Sequence, residues 1–63
     1  MLTLKAARIN AMYTLVQASK LIGISSNTLS SWERGETHPT WKQLIKVSNI
    51  YNVNISDLIF LEK

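Results

Sequence analysis

The stretch that decides the fold is TLVQASKLIGISSNTLSSWERG, residues 14–35. Thr14 and Gln17 stand at the spacing of a helix-capping box, so a helix is expected to start just after Thr14. Ala18, Ser19 and Ile22 fall on one side of that helix at three- and four-residue separations. Gly23 then supplies the residue that a left-handed helix end requires. Ile24 is a single apolar plug, and Ser25 is a good N-cap for a second helix that turns Leu29 and Trp32 inward. The small side chains at 18 and 19 let the two helices cross closely.

Two short helices joined by a tight glycine turn make a helix-turn-helix, whose second helix usually enters the major groove of DNA. On the N-terminal side, Thr3 caps a first helix of about two turns, with Leu4, Ala7 and Ala11 sharing a face. Lys5 points outward from it, and Arg8 sits at the boundary of the buried face. Tyr13 precedes the cap at Thr14 and is placed to pack back over the second helix. The helices of the motif are expected at about residues 15–22 and 26–33.

On the C-terminal side, Pro39 forces His38 into an extended conformation. Thr40 and Gln43 repeat the capping-box spacing, so a longer helix begins at Trp41. Its buried stripe is Leu44, Val47 and Tyr51, flanked by Trp41, Ile45 and Ser48, while Lys42 and Lys46 face water. Asn52 suits a left-handed C-cap, and Asn54 suits the N-cap of a last helix over residues 55–60 that ends at Leu61. No stretch asks to be a strand. The expectation is an all-α fold, five helices in one domain spanning residues 1–63.

Composition limits the alternatives. The 63 residues contain no cysteine and one histidine, which excludes a disulfide framework, a thiolate metal site and a metal site built on His38 alone. Neither a metal nor another cofactor is expected. The apolar runs are too short for a membrane span, and residues 1–10 hold no apolar stretch of signal-peptide length. A reducing, cytoplasmic setting is expected. The net charge of +3 has the sign that suits a polyanion but is small for a nucleic-acid binder. The four carboxylates are scattered and no nucleophile stands with a base, so an enzyme is not expected.

The arrangement resembles the lambda-repressor and Cro-like (XRE) family of DNA-binding domains over residues 4–58. The resemblance rests on Leu4, Lys5 and Arg8 in the first helix and on Thr14 at the start of the second. It continues through Gly23-Ile24-Ser25, Thr28-Leu29-Ser30, Trp32-Glu33-Arg34-Gly35, Pro39-Thr40 and Val53-Asn54. Each piece is weak alone, and their joint occurrence at family spacing is specific. The resemblance implies that Arg8 pairs with Glu33 as a clamp on the fold. It also implies that both tryptophans, Trp32 and Trp41, pack into the core.

The same resemblance implies base contacts from Ser26, Asn27 and Ser31, with Ser30 or Thr28 at the margin. Asn27 is the best reader, because its amide can pair bidentately with adenine. Phosphate contacts are implied for Thr14 at the amide end of the second helix. Others are implied for Thr28, Arg34, Thr37, His38, Thr40 and Lys42. The chain departs from its relatives at Leu15, where a phosphate-reaching glutamine is usual, and at Ser26 and Ser31, where basic residues are frequent. A protomer with so few cations should bind weakly alone. Two copies on double-stranded DNA are therefore expected, joined through a C-terminal surface of Ile59, Phe60 and Leu61 backed by Ile55 and Leu58. The apolar side chains Leu15, Val16 and Leu21 motivate a second reading, a protein-interaction module of antirepressor or antitoxin type.

Overall fold

The computed structural model describes residues 1–60. A two-residue strand β1 (Leu2–Thr3) leads into four helices, α1 (Leu4–Asn10), α2 (Leu15–Ile22), α3 (Ser26–Arg34) and α4 (Trp41–Tyr51). A single 3-10 turn (Ile55–Asp57) and a second short strand β2 (Leu58–Ile59) follow. The strands pair in parallel, Leu2 opposite Leu58 and Thr3 opposite Ile59, so the two ends of the described chain are tied together.

The local signals explain where each helix begins. Thr3, Thr14, Ser25 and Thr40 each accept a hydrogen bond from a backbone N–H three residues on, at 3.1–3.2 Å. Gln17 and Gln43 return the bond by accepting the N–H of Thr14 and Thr40 at 2.9 and 2.8 Å, completing two capping boxes. Gly23, Gly35 and Asn52 end α2, α3 and α4 in the left-handed region, at φ of 89°, 79° and 54°. Met12, in the turn between α1 and α2, also has positive φ (68°), a conformation that costs a side chain with a Cβ about 1 kcal/mol.

The buried stripes of the four helices meet in one core: Leu4 and Ala7 from α1, Ala18 and Ile22 from α2, Leu29 and Trp32 from α3, and Leu44, Val47 and Tyr51 from α4, with Leu58 closing it. Leu29 and Val47 are fully enclosed. Burial of each such side chain stabilises the fold by about 1.5–3 kcal/mol, so Leu29 anchors α3 from behind.

Three expectations need correction. The expected fifth helix is absent from the described residues. Asn54 makes no capping bond, the 3-10 turn lasts three residues, and Leu58 turns extended at φ −84°, ψ 137°. Leu58 reaches the core from a strand because the backbone of Leu2 and Thr3 offers it a ladder partner, which also corrects the expectation of no strand. Trp41, expected in the core, is 67 % exposed. At the first position of α4 its side chain leans toward the helix N-terminus, past the last packed layer of the core.

Tyr51 brings a polar group into the core that the core does not satisfy. Its ring packs 6.3 Å from that of Tyr13, yet its buried hydroxyl has no hydrogen-bond partner among the described residues. Burial, helped by the negative charge of Glu33 and opposed by Arg8, pushes the phenol up to about 12 from its ordinary 10.0. The folded state therefore holds this proton more tightly than the unfolded chain. The resulting stability is fully present below pH 10 and is lost as pH rises from about 10 to about 12. Tyr51→Phe should remove this alkaline slope and raise stability near neutrality by about 1 kcal/mol, since an orphaned polar group leaves the core. Urea unfolding at neutral and alkaline pH checks both effects.

Candidate nucleic-acid interface

Helix α3 buries Leu29 and Trp32 and turns Asn27, Ser30, Ser31 and Arg34 the other way, at separations of three, four and seven residues. This outward ridge is polar along its whole length. Asn27 at its N-terminal end is exposed, and no side-chain hydrogen bond to a described residue holds its amide. Both its acceptor and its donors are open to a base edge. Ser26 is half-buried.

The other hydroxyls of the ridge have partners within the protein. Ser31 Oγ accepts from Thr37 Oγ1 at 3.0 Å, which ties the turn after α3 to the ridge. Thr28 Oγ1 lies 2.9 Å from Ser25 Oγ, inside the cap. Ser30 Oγ accepts from an Nη of Arg34. Arg34 in turn donates from Nε to Glu36 Oε2 at 3.0 Å.

Asn27, Thr28, Ser31 and Thr37 come together with Trp32 and Gln43 around an open concavity of about 400 Å³ between α3 and the start of α4. Gln43 was not among the expected contact residues. Its carboxamide oxygen serves the cap of α4, which leaves the NH2 group available to this concavity. The capping-box spacing that located Gln43 is silent about the direction of that second group.

The remaining expected phosphate residues do not line the concavity. Thr14 and Thr40 are exposed at the N-termini of α2 and α4, where backbone N–H groups are left over and favour an anion. Lys42 is exposed at the second position of α4. His38 is exposed but stands edge-on to the ring of Phe60, with centroids 6.3 Å apart.

Behind α3, Arg8 and Glu33 form a two-pronged ion pair, Nε to Oε2 at 2.8 Å and Nη2 to Oε1 at 3.2 Å. The second Nη of Arg8 donates to the carbonyl of Tyr13 at 3.0 Å. Both side chains are about nine-tenths buried. The hydrogen bond to Glu33 outweighs burial and raises the Arg8 pKa further above its usual range. One guanidinium thus joins α1, the α1–α2 turn and α3, fixing the angle at which α3 is presented.

Among the expected dimerisation residues, Ile59 is 38 % exposed, and Phe60 is partly buried against the core. Phe60 lines a second crevice of about 290 Å³ with His38, Pro39 and Leu44. Leu61 lies outside the described residues. Leu15 packs partly against the core, whereas Val16 and Leu21 are 52 % and 47 % exposed. Among the described residues, no group of three metal-ligating side chains occurs, and no helix is long and apolar enough to cross a membrane.

A capped helix pair with an αL glycine turn, a polar outer ridge on its second helix and an ion-pair clamp behind it defines a class of protein. The chain belongs to the helix-turn-helix family, of the XRE kind, whose model matches residues 4–58. It is similar to the HTH-type transcriptional regulator ImmR of Bacillus subtilis (strain 168), at 41 % identity over 56 residues. That match takes in 89 % of this chain but 44 % of the relative, so the chain spans less than half of that protein's length. No solved structure matches significantly.

Proposed function

We propose that the protein is a sequence-specific DNA-binding transcriptional regulator that places α3 in the major groove. The observation that carries this reading is the outward ridge of α3, with the amide of Asn27 unengaged at its N-terminal end. Asn27 reads a base edge, with Ser26, Ser30 and Ser31 beside it. Thr14, Thr28, Arg34, Thr37, His38, Thr40 and Lys42 hold the flanking phosphates. Phosphate contacts set the register of the helix, and the base contacts select the sequence.

The mechanism is steric. Two copies occupy half-sites about one helical turn apart and obstruct or assist polymerase at a nearby promoter. A homodimer is part of this reading, since one half-site held by few cations competes poorly with genomic DNA. Ile59 and Phe60 supply apolar surface for it, and the setting is the cytoplasm. The alternative role as a protein-interaction module is not favoured, because the relative is named as a transcriptional regulator and the α3 ridge is polar.

The test is fluorescence anisotropy with DNA from the region upstream of the gene and with a scrambled duplex, across a range of salt. Binding that weakens steeply with salt and prefers the upstream sequence is expected. Equal, salt-insensitive affinity for both duplexes would refute the reading. In the same assay Lys42→Ala should weaken binding to every sequence alike and flatten the salt slope by about one. A loss confined to one sequence would contradict its role at phosphate.

A further inference from the structure

Arg34 is the single cation on the α3 ridge, and the protein already holds it. Its Nε donates to Glu36 Oε2 at 3.0 Å, and one Nη donates to Ser30 Oγ. Both contacts are at the surface, with the Arg34 and Glu36 side chains 58 % and 31 % exposed. Glu36 stands just past the end of α3. It follows the C-cap Gly35, and its own N–H bonds the carbonyl of Ser31. A carboxylate at that end faces the negative pole of the helix dipole, which disfavours it. Nor does an ion pair so open to water add much to folding. The carboxylate sets a negative charge against the one guanidinium that the ridge can offer to a phosphate.

We propose that Glu36 acts as an intramolecular competitor for DNA, holding Arg34 until a phosphate displaces it and thereby limiting non-specific affinity. This rests on the reading of α3 as the groove-entering helix. While the latch is closed, the charge of Arg34 is balanced and the hydroxyl oxygen of Ser30 accepts from the guanidinium. When a backbone phosphate takes the guanidinium, Ser30 is released toward the groove at the same step. Capture of a phosphate and exposure of a polar group to the bases are then one event, favoured where the duplex seats α3 fully. A duplex that seats it poorly meets a ridge without net positive charge at this point, and so gains little from electrostatic attraction.

The weakness of an exposed pair sets the size of the effect. The experiment compares wild type, Glu36→Gln, Arg34→Gln and the double variant by anisotropy on a labelled duplex of mixed sequence, between about 50 and about 200 mM salt. Glu36→Gln should tighten binding about two- to fivefold, within the range of an exposed ion pair. It should also steepen the dependence of log K on log salt by about one, as a freed cation displaces another counterion. In the Arg34→Gln background the same change should give markedly less. Unchanged affinity and slope for Glu36→Gln would overturn the latch. So would an equal gain with and without Arg34, which would make Glu36 a plain repelling charge. Wild type binding no duplex at the lowest salt would refute the groove-entry reading itself, and the latch with it. Thermal melts of all four proteins, expected within a few degrees of each other, separate these effects from loss of fold.

Discussion

Glu33→Ala is expected to lower the stability of the domain by about 3 kcal/mol or more, and its melting temperature by upwards of about 10 °C. The size follows from what the substitution leaves behind. Arg8 is about nine-tenths buried and keeps only its bond to the Tyr13 carbonyl, so a guanidinium is stranded out of water without its counter-charge. A domain of this size holds roughly 3–9 kcal/mol in total, so the variant should be close to unfolded near body temperature. Chemical denaturation of both proteins measures the difference. The double variant Arg8→Met, Glu33→Leu should recover much of the loss, because an apolar pair of similar volume avoids the desolvation penalty. If Glu33→Ala melts within a few degrees of wild type, the pair is not the clamp described above. A contrast is built into the same chain: the Arg34–Glu36 pair, open to water, is expected to contribute under about 1 kcal/mol to folding.

Asn27→Ala is the second large expectation, and it falls on recognition instead of stability. The side chain is exposed and supports nothing in the core, so the melting temperature should hardly move. What should change is discrimination among DNA sequences, by about 1–3 kcal/mol, or roughly five- to 150-fold in the ratio of affinities for matched and mismatched sites. The salt slope should stay as in wild type, since an amide neutralises no phosphate. Competition binding with a panel of single-base operator variants reads this directly. A uniform loss on every sequence would instead make Asn27 a backbone contact and leave base reading to the serines.

These two residues mark how unevenly the sequence reveals its structure. The helix starts were legible because capping chemistry is local: a hydroxyl at Thr14 or Thr40 and an amide three residues later find each other whatever the rest of the chain does. The αL ends at Gly23, Gly35 and Asn52 are equally local. The inward faces followed from helical period, which is why Leu29, Trp32, Leu44, Val47 and Tyr51 lie where the pattern puts them. The family resemblance misjudged Trp41, because at a helix terminus an apolar position can run past the core that would cover it.

The C-terminal segment shows the same limit. Asn54 reads as the N-cap of a last helix, yet the chain makes one 3-10 turn and then pairs as a strand with Leu2 and Thr3. Residues more than fifty positions apart supply that pairing, and no local propensity contains it. On the outer ridge of α3, the exposure of Asn27 was legible from its place on the helix. The engagement of Ser30, Ser31 and Thr28 with protein partners, and the arrival of Gln43 beside them, was not.

The sequence by itself therefore determined α1 to α4, their order, the glycine-turned pair and the polar character of the α3 ridge, since each depends on contacts within a few residues. Only the tertiary structure decided the number of helices, the exposure of Trp41, the orphaned hydroxyl of Tyr51 and the restraint on Arg34. Those outcomes depend on which surfaces other elements cover and which charges the folded chain brings within bonding distance, and such distances exist only once the elements have packed.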